Sequence, residues 1–238
     1  MVGSPLRAHS ERGAHNGWCR KGKVLRSWHS GWQRNHRTEQ RNGVAVAGSS
    51  PAGGGTFGWV TAFLLLGWAY SARPVQAKRS SVRCAVVVFG LGATSYAAGT
   101  SAAGHGWTAT GVVFGCVMAA WMALVGSVAK DLGDADGDAA GGRRTVAVVH
   151  GLAAARALTV TCAALVGLAG TAAAARWAPL ALAGTVPVAV GALWVIARVV
   201  RDARREGVAR GQRRGAYRAF MVTQYAANLL VLIALGAR

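Results

Sequence analysis

The residues best able to do chemistry here are aspartates. Of 8 acidic residues in the chain, four fall within residues 130–145, which read Lys-Asp-Leu-Gly-Asp-Ala-Asp-Gly-Asp-Ala-Ala-Gly-Gly-Arg-Arg-Thr. Asp131, Asp134 and Asp138 are spaced i, i+3, i+7. On a helix they fall within about 60° of one another, while Asp136 points away. Carboxylates on one face repel one another unless a cation joins them. Mg²⁺ suits such a set, because it keeps several waters and takes one or two carboxylates together with phosphate oxygens. The glycines at 141 and 142 can bend the chain and bring the guanidinium groups of Arg143 and Arg144 to the same phosphate.

The elements that must hold these aspartates are apolar. The 238-residue chain is 53% hydrophobic and 15% charged, with a formal net charge of +19. An average soluble domain has roughly 25% charged residues. The basic residues flank apolar runs, an arrangement that argues against a nucleic-acid partner and for the cytoplasmic side of a membrane protein. A spanning helix takes about 20 apolar residues. The candidate spans are 57–72, which is short, then 82–103, 107–129, 146–174, 178–200 and 217–237. They are rich in Ala and Gly, which let helices approach closely in lipid. A soluble bundle would need polar faces, and 152–175 and 178–197 have almost none. The predicted fold is an all-α integral membrane bundle of six helices. Cys84, Cys116 and Cys162 lie in apolar segments and are expected to be small buried thiols, with no disulfide framework.

Charge orients the spans. Arg73, Lys78, Arg79 and Arg83 follow the first; Lys130, Arg143 and Arg144 flank the aspartates; residues 198–218 carry the densest run of arginine. The loop near His105 has no Lys or Arg, and the loop near Arg176 has only that one. The positive-inside rule puts the three basic loops, and with them the Asp-rich loop, on the cytoplasmic side of the plasma membrane. Residues 1–55 read as a separate basic tail ending in a flexible Ser-Ser-Pro-Ala-Gly-Gly-Gly joint, with 56–238 as the membrane domain. By the same rule the tail lies outside, which nine Lys and Arg against Glu11 and Glu39 resist. The conflict predicts that residues 1–48 stand in place of other membrane segments.

Two stretches together resemble the UbiA family of intramembrane prenyltransferases. Residues 130–145 are similar to the family's second Asp-rich motif, Asp-x-x-Asp-x-x-x-Asp with a Gly-basic-x-Thr turn, through Asp131, Asp134, Asp138, Gly142, Arg143 and Thr145. Residues 67–79 resemble its Tyr-Ser-x-Pro-Pro-x-x-x-Lys loop through Tyr70, Ser71, Pro74 and Lys78, with Arg73 replacing the first proline. The resemblance runs from about Phe57 to the C-terminus. It implies helices four to nine of a nine-helix fold, and Mg²⁺-dependent transfer of an isoprenyl group from a prenyl diphosphate to an aromatic or lipid acceptor. It further implies Asp131, Asp134 and Asp138 as metal ligands, the first two also as catalytic residues, and Lys78, Arg143 and Tyr70 at the diphosphate. The family's Asn-Asp-x-x-Asp first motif is absent from the sequence. A truncated chain, inactive alone, is therefore expected.

Other readings stand beside this one. Asp134-Ala-Asp-Gly-Asp138 begins like a calcium loop, but Ala139 and Thr145 occupy the Gly and Glu positions that loop needs. A non-catalytic membrane protein or transporter with a cation-binding cytoplasmic loop stays open. For Lys78 against Arg79, and Arg143 against Arg144, either a diphosphate contact or a plain topology signal fits. Trp107, Trp121, Trp177 and Trp194 read as belt or packing residues, and Gln224, Tyr225 and Asn228 as helix contacts or an acceptor pocket.

Overall fold

A polypeptide surrounded by lipid must satisfy its own backbone hydrogen bonds, and a run of apolar residues does so as a helix. The structure, a computed structural model, describes residues 53–104, 107–204 and 214–237. Among these residues there is no strand, only an isolated bridge between Ser80 and Arg144. In chain order the helices are α1 (Gly53–Ser71), α2 (Ser81–Ala102), α3 (Ala109–Ala120), α4 (Ser127–Ala140), α5 (Val146–Val149), α6 (Gly151–Trp177), α7 (Leu182–Ala203) and α8 (Gly215–Gly236). A π turn, Trp121–Gly126, joins α3 to α4 without a break, and 3₁₀ turns occupy Ala77–Arg79 and Pro179–Ala181.

The protein is an all-α integral membrane protein. Five segments are long and apolar enough to cross a membrane: Ser81–Ala102, Ala109–Ala140, Gly151–Trp177, Pro179–Ala203 and Gly215–Gly236. The expected sixth span, α1, is not among them. Its glycines, Thr56, Tyr70 and Ser71 dilute its apolar content. This helix also takes in Gly53, Gly54 and Gly55, residues expected to be a flexible joint. The rest of the tail, residues 1–52, lies outside the described residues, as do His105 and the middle of the basic 198–218 loop.

Two boundaries differ from expectation. The third span does not end at Ala129 in an Asp-rich loop; the helix runs on to Ala140, so the aspartates are helical. Asp136 is exposed and Asp138 buried, as the i, i+3, i+7 face requires. The fourth span does not start at Val146, because the chain breaks at His150–Gly151, where Gly151 has φ 83°. Only glycine takes that left-handed backbone readily.

Packing follows chain order. α1 rests on α2, α2 on α3, α6 on α7 and α7 on α8, while α3 crosses to α6. The core between them holds Met118, Trp121, Val125, Val188 and Val195, all fully buried. Small residues bring the helices close: a Cβ on Gly191 of α7 would sit 2.1 Å from Thr223 of α8. The outer surface keeps Val82, Leu168, Leu193 and Leu232 exposed, as a lipid-facing surface allows. The same environment corrects the cysteine expectation. Cys116 is exposed and Cys84 and Cys162 are only part-buried, since a thiol facing lipid needs no protein cover. Trp121 is core, whereas Trp107 and Trp177 are exposed near helix ends.

Candidate functional site

The site begins with two turns that meet. α4 ends in a Schellman arrangement: Gly142 N–H donates to Ala139 O at 3.1 Å and Arg143 N–H to Asp138 O at 2.9 Å, with Gly142 at φ 64°. The second turn, after α1, passes through Gln76 (φ 39°) into Ala77–Arg79. Arg144 N–H donates to Arg79 O at 2.8 Å, and Val146 N–H to Ser81 Oγ at 2.9 Å. These bonds clamp the Lys78 turn against the Arg143 turn. Each basic pair is split between two cavities. Lys78 and Arg143 line one cavity, whereas Arg79 and Arg144 line another.

The first cavity, about 260 Å³, is bounded by α2, α4, α8 and the end of α1. Its charged lining is Lys78, Lys130, Asp131 and Arg143, three cations around one carboxylate. Tyr70 is there too, beside Cys84. Buried Thr145 Oγ1, on the same wall, has no hydrogen-bond partner among the described residues. One or two turns further into the bundle the lining becomes Val88, Met122, Phe220 and Met221, with Gln224 the polar exception. Tyr217 and Trp121 stack on either side of Phe220 at 5.7 Å. Gly126, in the π turn, permits this: a Cβ there would sit 2.4 Å from the Phe220 ring. The cavity thus combines a cationic end with an apolar interior.

Of the expected site residues, Tyr70, Lys78, Asp131 and Arg143 come together in this cavity, and Asp134 and Asp138 do not line it. Arg143 donates to Asp138 Oδ1 at 2.9 Å, and Arg214, from the basic loop, donates to Asp134 Oδ1 at 2.9 Å. Among the described residues no three His, Cys, Asp or Glu side chains form a group able to hold a metal. The donor chemistry still suits a hard cation. Asp138 Oδ2 is buried without a hydrogen-bond partner among the described residues, and the charges of Asp138, Asp134, Lys130 and Arg143 all act on the Asp131 carboxyl.

Sequence reasoning missed several lining residues. Tyr217, Phe220 and Met221 are among them, although with Gln224, already read as a helix contact or acceptor-pocket residue, they follow i, i+3, i+4, i+7, a helical stripe that could have been read as one face. Lys130 adjoins Asp131 and was legible only as loop charge. Arg214 lies 80 residues from Asp134, and no local signal links the two. Of Gln224, Tyr225 and Asn228 in the last span, Asn228 accepts from the Tyr96 hydroxyl at 2.7 Å and Tyr225 is exposed, and Gln224 lines the cavity.

Comparison with known protein families gives a match. The family described as the UbiA prenyltransferase family matches residues 43–234, starting inside the stretch read as tail. No curated protein and no solved structure matches the chain.

Proposed function

Because this chain belongs to the UbiA prenyltransferase family, we propose that it transfers an isoprenyl group from a prenyl diphosphate to an aromatic or lipid acceptor within the membrane. One observation carries this reading: Lys78, Lys130 and Arg143 surround Asp131 at one end of a cavity whose other end is apolar. In this proposal Lys78 and Arg143 bind the diphosphate oxygens and offset the charge that grows on them as the allylic C–O bond ionises. The Tyr70 hydroxyl orients the same group. Asp131, Asp134 and Asp138 are the proposed Mg²⁺ ligands, and Asp138 Oδ2, buried and unpartnered, supports including that residue. Mg²⁺ held there would neutralise the leaving diphosphate. Asp131 and Asp134 are the carboxylates on which catalysis is proposed to depend. The isoprenyl tail lies along Val88, Met122, Phe220 and Met221, whose apolar side chains keep water from the developing allylic cation. The charged end of the cavity faces the cytoplasm, with the protein in the plasma membrane, as the loop charges argue.

A prenyl diphosphate carrying a photoreactive group on its tail tests this placement. The expected labels, after proteolysis and mass spectrometry, are on Met122, Met221 or their neighbours, and excess unlabelled prenyl diphosphate removes them. Labelling confined to the outer faces of α6 and α7 would contradict the proposal.

A further inference from the structure

The turns that bring Lys78 and Arg143 to one cavity send their neighbours to a second. This hollow, about 450 Å³, lies across the Ser80–Arg144 bridge and contains Arg79, Arg83, Arg144 and His150. No acidic side chain lines it. All three arginines are exposed, and among the described residues none of them pairs with a carboxylate. Three guanidinium groups around one hollow repel one another unless an anion joins them, and their fork of donors matches phosphate oxygens. The hollow is not purely polar. Val149, 47% exposed, and Val82, 74% exposed, lie in its wall. From Val82 an exposed apolar stripe runs along α2 through Val86 and Phe89, spaced i, i+4, i+7. A phosphate with no hydrocarbon attached would make no use of that stripe.

We propose that this hollow is a binding site for an anionic membrane phospholipid, with its phosphate among Arg79, Arg83 and Arg144 and an acyl chain along Val82, Val86 and Phe89. The site is separate from the prenyl diphosphate cavity, although Ser81 and Thr145 contribute to the walls of both. Basic pockets at the cytoplasmic ends of membrane helices hold lipid headgroups by the same combination of charge and apolar contact.

Native mass spectrometry of the purified full chain tests this, with phosphatidylglycerol and phosphatidylcholine offered in equal amounts. The wild type is expected to retain phosphatidylglycerol preferentially. Arg83→Gln should weaken retention about fivefold and the triple variant Arg79→Gln/Arg83→Gln/Arg144→Gln about a hundredfold, at roughly one basic contact each. Arg204→Gln, at an exposed arginine outside the hollow, should leave retention unchanged. Arg83→Gln alters one exposed side chain, so it reports on the site even if the triple variant fails to fold. Equal retention by wild type and Arg83→Gln would overturn the proposal. So would an equal loss in Arg204→Gln, which would indicate diffuse charge attraction. Full displacement of the lipid by millimolar inorganic phosphate would also overturn it, assigning the site to free phosphate.

Discussion

At the residue scale, basic side chains at adjacent positions line different cavities. Lys78 lines the proposed diphosphate cavity and has no ion-pair partner among the described residues, so its loss is expected to remove only a ligand contact. Arg143 also neutralises Asp138, which is 4% exposed. Lys78→Ala is therefore expected to weaken binding of a prenyl diphosphate analogue about tenfold with unchanged thermal stability. Arg143→Ala should weaken binding and also cost about 2 kcal/mol of stability, because a buried carboxylate loses its donor. Binding isotherms and thermal midpoints in detergent measure both, and equal stability of the two variants would contradict the dual role of Arg143. The aspartate triplet was legible in the sequence because its spacing needs only the helix period. The division of Lys78 from Arg79, and of Arg143 from Arg144, was not legible. It depends on how two turns far apart in sequence clamp together. The Arg214 partner of Asp134 was hidden because it lies 80 residues away, whereas the Arg143 partner of Asp138 is only five residues on.

At the element scale, the run from α3 to α4 controls where the carboxylates face. A π turn holds one residue more than an α turn and rotates everything beyond it by about 100°. Trp121–Gly126 is such a turn, one turn before Asp131. Leu124 within it is exposed, so deleting it removes little packing while restoring an uninterrupted α-helix. The deletion is expected to turn Asp131 out of the cavity and to abolish Mg²⁺-dependent donor binding, with helix content by circular dichroism retained. Undiminished binding by the folded deletion variant would show that the π turn does not orient Asp131. The long helices were visible in the sequence from the length of each apolar run. Neither the π turn, where Gly126 packs against Phe220, nor the break at Gly151, set by its left-handed backbone, was. The extension of the helix to Ala140 was half legible: the aspartate spacing is helical, but their polarity reads as a loop.

At the scale of the whole molecule, charge and apolarity are sorted by position along the bundle. The end of α1, the first turns of α4, the turn that follows α4 and the starts of α2 and α8 meet around the charged end of the cavity. The apolar interior lies deeper along α2, the π turn and α8. Composition and loop charge made that polarity legible before any side chain was placed, because lipid leaves a helix few alternatives. The cavity itself was not legible, since it is a gap between α2 and α8, which come from opposite ends of the described chain. The central claim is that this gap binds a prenyl diphosphate through Asp131, its cationic neighbours and Mg²⁺. Titrating a non-hydrolysable prenyl thiolodiphosphate into the chain in lipid nanodiscs, with and without Mg²⁺, tests it most directly. The account predicts saturable binding that weakens at least about tenfold when Mg²⁺ is removed, a difference near 1.4 kcal/mol. It also predicts that Asp131→Asn loses this dependence on Mg²⁺ and that the corresponding prenyl alcohol does not compete. Binding of equal strength with and without Mg²⁺, in both wild type and Asp131→Asn, would contradict it.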